Sequence, residues 1–226
     1  KIFGILEIGD VKQIDKKDAQ ELHALHIKNL SKSYGDRQLF THLNLDVQAG
    51  QKVLIKGPSG CGKSTLFRLI TGEEIADEGE IIGVTTVNEC TSSFVSSIGI
   101  INQHPFLFND TVRYNLTLGQ EFSEEELLAV LKQVKLDFEL TGGLDFIIKN
   151  NGENISGGQR VRIELARFLL RRKNLLLADE VTATLDKENA LMVRELLFSL
   201  PVMMLEIAHH IDDESRYQQV VDLGKY

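Results

Sequence analysis

One short segment has the residue types and the spacing of a phosphate-binding loop: GPSGCGKST, from Gly57 to Thr65. It matches the pattern G-x-x-x-x-G-K-[ST], in which small residues allow backbone N–H groups to surround phosphate oxygens. In this pattern the ammonium of Lys63 contacts the β and γ phosphates, and the hydroxyl of Ser64 binds Mg²⁺. An apolar, strand-like segment precedes the loop, and a helical pattern that ends at Gly72 follows it. This context predicts a nucleoside triphosphate site.

Two carboxylates, Asp179 and Glu180, end a second apolar segment, LLLADE. An apolar run of this length predicts a buried strand, which delivers both side chains to its C-terminal end. Beside a phosphate-binding loop, one such acid helps to hold Mg²⁺ and a second orients or deprotonates water. A pair of acids at a strand end is weak evidence alone, but together with the loop it predicts a hydrolytic site.

A second glycine-rich segment lies further along the chain: NGENISGGQRVRIELAR, residues 151–167. Ser156, Gly157 and Gly158 are small enough to let backbone N–H groups approach an anion at the start of a helix. The chain already has one phosphate-binding loop, so the sequence raises the question of which anion this second segment binds.

A histidine ends a third apolar segment, PVMMLEIAH, at His209. The cluster HHIDDE around it has metal-binding residue types. Adjacent strand residues point to opposite faces, however, so His209 and His210 are poorly placed to bind one metal ion together. A single histidine at a strand end is more often structural or solvated than a metal ligand.

Residues 123–134 have the pattern of an amphipathic helix. Ser123 and Glu126 have the spacing of a capping box, and Leu127, Leu128, Leu131 and Val134 are predicted to share one face. The acidic run at 124–126 is therefore interpreted as compensation of the helix dipole rather than as a metal site.

The remaining patterns predict the elements that position these residues. Strands alternate with helices after the phosphate-binding loop, which indicates a largely parallel sheet with right-handed crossovers. Upstream, apolar and polar residues alternate in LHIKNLSKSYG and LFTHLNLDVQ, as in half-buried antiparallel strands. Residues from about 104 to 154 are helical in character, and residues 1–24 resemble a connector that leads into the domain.

The composition is that of a soluble globular protein. The 226 residues are 42% hydrophobic and 26% charged, and the net charge of −8 disfavours a nucleic-acid-binding surface. We interpret Cys61 and Cys90 as reduced thiols in the cytosol. No apolar run approaches the ~18 residues of a membrane span, and KIFGILEIGD lacks the features of a signal peptide.

Together these segments resemble the nucleotide-binding domain of ATP-binding cassette (ABC) transporters. The resemblance extends from Leu25 to the end of the chain, and the motifs occur in the order of the family. Residues 57–65 correspond to the Walker A loop, Gln103 to the Q-loop, ISGGQ at 155–159 to the LSGGQ signature and LLLADE to the Walker B strand. VTATLD, which ends at Asp186, corresponds to the D-loop, and His209 to the H-switch.

The resemblance implies an α/β fold of the P-loop NTPase class. A mostly parallel core sheet would carry an antiparallel β subdomain and an inserted α-helical subdomain. The expected division is a connector from a membrane domain at 1–24 and an ATPase domain at 25–226. Within the latter, 25–103 would hold the β subdomain and Walker A, 104–160 the helical subdomain with the signature, and 161–226 the Walker B core.

Two further segments resemble exporters within this family: FNDTVRYNL, and the connector-like KIFGILEI at the N-terminus. Some positions depart from the family pattern. Asn150 stands where exporters commonly have Glu, and Glu153 is nearby but out of register. Val181 and Ala183 replace the usual Pro and Ser, and Ile155 replaces the signature Leu.

The resemblance also implies ATP and Mg²⁺ as ligands, with Tyr34 stacked on adenine and Cys61 supplying only its backbone N–H. The implied catalytic residues are Glu180, His209, Gln103 and Lys63. The implied Mg²⁺ ligands are Ser64, Gln103 and, through water, Asp179. The implied nucleotide contacts are Tyr34, Gly57, Ser59, Gly60, Cys61, Gly62, Lys63, Ser64, Thr65, Ser156, Gly157, Gly158 and Asp186.

The expected partners follow from the same family. Two nucleotide-binding domains, here expected to be identical, meet head to tail around two ATP molecules and drive a transmembrane domain at the cytoplasmic face of the membrane. Hydrolysis would power export of a substrate. Two alternatives remain open: the separate ATPase subunit of an importer, and a non-transport ABC ATPase such as a DNA-repair or chromosome clamp or a translation factor.

Overall fold

The computed structural model describes residues 21–86, 89–90, 93–136, 140–208, 211 and 213–226. Most of the predicted connector at 1–24 lies outside the described residues, and the first strand already begins at Leu22. The strands are β1 Leu22–Tyr34, β2 Arg37–Gln48, β3 Lys52–Lys56, β4 Glu78–Thr85, β5 Glu89–Cys90, β6 Ile98–Asn102, β7 Leu175–Asp179, β8 Met203–Ile207 and β9 Gln219–Asp222. The α-helices are α1 Lys63–Thr71, α2 Val112–Thr117, α3 Glu124–Gln133, α4 Gly157–Leu170 and α5 Lys187–Ser199.

Two sheets form the domain, as the sequence predicts. The core sheet has the strand order β6-β7-β8-β3-β9, and all its described pairings are parallel. The second sheet has the order β2-β1-β4-β5 and is antiparallel. Since the strands of a parallel sheet all end at the same edge, the segments that follow β3, β6, β7 and β8 lie together there.

The core sheet is covered on both faces, which explains why its central strands β3, β7 and β8 have mostly apolar residues at consecutive positions. In β3, Leu54 belongs to a buried cluster that includes residues of α3, α4 and α5. Val53 and Ile55, on the opposite face, pack with β1, β2 and α1. The phosphate-binding loop therefore leaves a strand that is fixed from both sides.

Helix α3 begins with the predicted capping box: the Ser123 hydroxyl accepts from the Glu126 N–H at 3.2 Å, and the Glu126 carboxylate accepts from the Ser123 N–H at 2.9 Å. The prediction for Leu128 is wrong, because its side chain is 49% exposed. The buried face consists of Leu127, Val130, Leu131 and Val134. That set has the i, i+3, i+4, i+7 spacing of one helix face, and Leu128 lies about 100° around the helix from Leu127.

Among the described residues, no helix is both long enough and apolar enough to cross a membrane.

One ionisable side chain is enclosed completely in the core. Glu206, in β8, has no exposed surface, and its Oε2 accepts a 2.5 Å hydrogen bond from the Tyr217 hydroxyl. Its Oε1 has no hydrogen-bond partner among the described residues. Burial raises the pKa of Glu206, against smaller opposing effects of the Tyr217 hydrogen bond and the Arg194 charge.

Glu206→Gln should therefore change how stability depends on pH. Gln keeps an oxygen that accepts the Tyr217 hydrogen bond but cannot ionise. Because the pKa of Glu206 is higher in the folded state, its contribution to stability is largest below the unfolded-state pKa and is lost as pH rises through the folded-state pKa. Between these two pKa values, the free energy of unfolding of the wild type should fall relative to that of the variant by up to about 1.4 kcal/mol per pH unit. Urea denaturation of both proteins from about pH 5 to about pH 8 measures this difference. Parallel curves would contradict a pKa raised by burial.

Candidate functional site

The phosphate-binding loop connects the end of β3 at Lys56 to the start of α1 at Lys63. Two of its glycines are required by the backbone: Gly57 has φ of 145° and Gly62, which caps α1, has φ of 105°. Side chains other than hydrogen are strained in this region of φ. A Cβ at Gly62 would also lie 3.0 Å from the ring of Phe40. The glycine pattern therefore encodes a loop that turns sharply into a helix.

The Lys63 side chain is 7% exposed and lies along this loop. Its Nζ donates to the carbonyl oxygens of Gly57 at 2.9 Å and Pro58 at 3.1 Å. The first N–H groups of a helix have no acceptor within the helix, so those of α1 are suited to an anion. Ammonium, backbone N–H groups and the Ser64 hydroxyl together make this end of α1 a site for phosphate oxygens.

A cavity of about 330 Å³ lies over the loop, within the usual range of small-molecule sites. It brings eight of the predicted site residues together and adds two that the sequence did not indicate. Its lining is Tyr34, Arg37, Leu39, Ser59, Gly60, Gly62, Lys63, Ser64, Thr65 and Glu180.

The two carboxylates lie at the end of β7, as predicted. Asp179 pairs with Asn102 of β6 and with Ile207 of β8, so Gln103, which follows Asn102, leaves the sheet beside Glu180. Glu180 has φ of 50° and donates its N–H to the Ile207 carbonyl at 2.9 Å. A left-handed conformation costs energy in a non-glycine residue and is often found at functional sites. With this backbone conformation, the Glu180 side chain lines the cavity over the phosphate-binding loop.

The donor set fits Mg²⁺ in chemical terms. Ser64 and Glu180 line one cavity. Asp179 ends β7, and Gln103 directly follows the end of the adjacent strand β6. Hydroxyl, carboxylate and amide oxygens are the ligands that Mg²⁺ prefers, usually completed by substrate phosphates and water.

The second glycine-rich segment forms the start of α4. The Ser156 hydroxyl accepts from the Gln159 N–H at 3.1 Å and the Gln159 side chain accepts from the Ser156 N–H at 2.9 Å, a second capping box. Ser156 and Gly157 are exposed. Neither they nor Gly158 line the cavity over the phosphate-binding loop. The structure thus separates the two predicted anion sites within the chain.

The D-loop residue Asp186 caps α5 next to this helix start. Its carboxylate accepts from the Asn189 N–H at 3.0 Å and from the Asn189 side chain at 2.7 Å. The hydrogen bond from the Asn189 backbone is the main reason why the pKa of Asp186 lies below its usual value. A Cβ at Gly158 would approach Asn189 Oδ1 to 2.4 Å. A larger residue at position 158 would therefore displace the Asn189 side chain, which joins the signature to the D-loop.

Sequence reasoning missed Asn189, Arg37 and Leu39. Arg37 lies just after the turn that follows Tyr34, and its Nη2 donates to the Gly60 carbonyl at 2.9 Å. No motif marks Arg37, although its place three residues after a predicted adenine-binding tyrosine could have suggested it.

Cys61 is half-buried in the loop, and its N–H approaches the Pro58 carbonyl at 3.3 Å. His209 lies outside the described residues.

A parallel sheet, a glycine-rich loop leading into a helix and paired acids at the adjoining strand ends define a P-loop nucleotide-binding protein. The family model for ABC transporters matches residues 40–183, and the chain belongs to this family. It corresponds to the ATP-binding domain of exporter-type members.

Curated relatives and a solved structure agree with this assignment. The chain is 36% identical over 230 residues to the ATP-dependent lipid A-core flippase of Francisella tularensis subsp. holarctica (strain OSU18), covering 97% of this chain and 38% of the flippase. It is 37% identical over 237 residues to the flippase of the same name from Desulfotalea psychrophila (strain LSv54 / DSM 12343), covering 100% of this chain and 41% of that protein. A bacterial Atm1-family ABC exporter with ATP bound superposes with a TM-score of 0.75 at 29% identity, over 90% of this chain and 38% of that one. The chain therefore spans about two fifths of the length of these relatives.

Proposed function

We propose that this chain hydrolyses ATP as one half of a head-to-tail dimer and thereby drives export across a membrane. One observation supports the proposal: the chain has two glycine-rich helix starts, and of these only the one at Lys63 lines the cavity that also contains Glu180. The start of α4, at Ser156, is exposed and free to face a phosphate that is bound to another chain. An ATP bound to the loop of a second copy supplies it.

Within one chain, the Tyr34 ring would stack on adenine, and the N–H groups from Gly60 to Thr65 would bind the phosphates with the Lys63 ammonium. Ser64, Gln103 and Asp179, the last through water, would hold Mg²⁺. When bound, Mg²⁺ neutralises part of the phosphate charge. Glu180 would orient or deprotonate the attacking water.

The family resemblance assigns His209 to the γ-phosphate. From the second chain, Ser156, Gly157 and Gly158 would direct donors and the positive end of the α4 dipole at the same phosphate, where negative charge builds in the transition state. ATP would therefore stabilise the dimer and hydrolysis would weaken it. Such a cycle shifts attached membrane helices between two arrangements at the cytoplasmic face of the membrane.

An exposed aromatic cluster supports a membrane-domain partner. The Phe106 and Phe108 rings are 5.1 Å apart and the Phe108 and Tyr114 rings are 5.7 Å apart, each pair edge to face. Phe106 is 62% exposed, and nearby Ile147, which bridges to Thr111, is 55% exposed. Contiguous exposed apolar side chains of this kind mark interaction surfaces. The occupant we propose is a helix of a transmembrane domain, from the part of an exporter that this chain does not cover.

The backbone beneath this cluster is held rigidly. The buried Asn115 side chain accepts from the Phe108 N–H at 2.8 Å and donates to the Phe108 carbonyl at 3.0 Å. Arg167 donates to the Phe106 carbonyl at 2.9 Å. Asn151, next to Asn150 in the loop before the signature, accepts from the Leu107 N–H at 2.7 Å. Motion of a docked helix would thus reach the signature helix directly.

Asn150 itself donates to Glu153 at 2.9 Å, so the residue in the exporter Glu position retains a carboxylate neighbour.

Phe108→Asp tests this partner. The substitution removes a 42% exposed ring together with its contacts to Phe106 and Tyr114. The backbone hydrogen bonds to Asn115 remain, so ATP hydrolysis by the isolated chain should be unchanged. In the full-length protein, transport should fall by at least about tenfold, as expected for the loss of a central aromatic contact. Transport into vesicles and hydrolysis by the isolated chain are the two measurements.

Leu191→Asp, at a 55% exposed leucine of α5 outside the cluster, is the matched control and should retain transport. Transport by Phe108→Asp at the wild-type level would contradict the docking surface. Membrane helices upstream of this chain in the complete gene product would support an exporter, and their absence from it would favour a separate importer subunit.

A further inference from the structure

The Tyr34 ring, at the edge of the nucleotide cavity, is anchored from outside that cavity. Its side chain is 43% exposed, and its hydroxyl donates a short hydrogen bond to Glu74 Oε1. The ammonium of Lys32 lies 5.3 Å from the ring centroid, where a cation attracts an aromatic face. Arg68 Nη2 also donates to the Tyr34 hydroxyl at 3.5 Å. An exposed tyrosine would otherwise rotate freely, so these three contacts hold the ring in one orientation.

The Glu74 carboxylate is itself fixed by two cations. Lys32 Nζ lies 3.7 Å and Arg68 Nε 3.5 Å from its oxygens, and its side chain is only 18% exposed. Its backbone N–H donates to the Arg68 carbonyl at 3.2 Å. Lys32 Nζ also donates to the Ile75 carbonyl at 2.8 Å and to Asp77 at 3.2 Å. The Glu74 carboxylate, which accepts the hydrogen bond from the Tyr34 hydroxyl, is therefore held in a network of ion pairs and hydrogen bonds. This network joins β1 to the segment after α1.

Helix α1 connects this network to the phosphate-binding loop. Lys63 begins the helix and Arg68 lies in its last turn, while Gly72 ends it and Glu74 follows two residues later. Both ends of a bound nucleotide would thus be located by one short rigid element, with phosphates at its start and the base-stacking ring tied to its end.

We propose that Glu74 is a positioning residue for the nucleotide base, an inference that rests on the proposed ATP site. Glu74 orients the Tyr34 ring before the nucleotide arrives. A side chain that is already ordered loses less conformational freedom when a ligand stacks on it, so binding is tighter. Glu74 acts through Tyr34 and does not line the cavity over the phosphate-binding loop, so it should affect the binding only of ligands that carry a base.

Four variants separate this role from a structural one: Glu74→Ala, Glu74→Gln, Tyr34→Phe and the double variant Glu74→Ala with Tyr34→Phe. The probes are ATP and inorganic tripolyphosphate, which has the phosphate chain and no base. Glu74→Ala and Tyr34→Phe should each raise the Kd for ATP about three- to tenfold, the usual effect of one lost hydrogen bond. Glu74→Gln keeps an acceptor and should retain most of the affinity. The Kd for tripolyphosphate should not change.

The double variant should bind ATP no more weakly than Tyr34→Phe alone, because that substitution already removes the hydrogen bond to Glu74 together with the 3.5 Å contact from Arg68. Glu73→Gln, at the exposed neighbour of Glu74, is the control and should bind both probes as the wild type does. Three results would overturn the positioning role. They are additive losses of ATP affinity in the double variant, a wild-type Kd for ATP in Glu74→Ala, and an equal loss of affinity for tripolyphosphate. Failure of the wild type to bind ATP is a separate result that would overturn the proposed function itself.

Discussion

Replacing Glu180 by Gln is expected to lower the rate of ATP hydrolysis by about two to four orders of magnitude, the usual contribution of a general base. Gln has nearly the same shape, so the cavity lining that Glu180 shares with Ser64 and Lys63 should persist. ATP should still bind, and an ATP-bound dimer should accumulate because nothing removes the γ-phosphate. Single-turnover hydrolysis and size-exclusion chromatography with ATP measure the two effects.

Glu188→Gln is a matched control, since Glu188 is an exposed acid in the first turn of α5. It should hydrolyse ATP at the wild-type rate. Turnover of Glu180→Gln close to that of the wild type would show that another group activates the water.

Ser156→Arg is expected to abolish hydrolysis while the monomer still binds ATP. The exposed hydroxyl of Ser156 is replaced by a long side chain at the surface that must meet the γ-phosphate of the partner chain. The cavity that holds ATP in the same chain does not include Ser156 and should be unaffected. Equilibrium binding of ATP and steady-state hydrolysis distinguish the two effects.

The substitution also removes the N-cap of α4, which costs about 1 kcal/mol of stability. Ser123→Arg is a closely matched control, because Ser123 is the N-cap of α3 in the same kind of capping box. It should cost similar stability and leave hydrolysis intact. Loss of ATP binding by the Ser156→Arg monomer would contradict the assignment of Ser156 to the partner's nucleotide.

Local features of this fold were predictable from sequence because they depend on residues close together in the chain. The loop from Gly57 to Gly62 needs glycines for its backbone angles, and the capping boxes at Ser123 and Ser156 each span four residues. Leu128 has the apolar type of the buried face of α3, but it is exposed because it lies about 100° around the helix from Leu127.

Contacts between distant segments were not predictable in this way. Tyr34 and Glu74 are 40 residues apart in sequence, and Arg37 reaches Gly60 only because the β1–β2 turn folds over the loop. Asn189 meets Gly158 because α4 and α5 pack closely. No spacing rule encodes these pairs, since each depends on how whole elements pack.

The central claim is that each hydrolytic site combines the loop of one chain at Lys63 with the helix start of another at Ser156. Hydrolysis per chain, measured over a range of chain concentrations at saturating ATP, tests it most directly. A two-chain site predicts a rate per chain that rises with concentration and reaches a plateau when the dimer is fully formed. A rate per chain that stays constant on dilution to the monomer would contradict it.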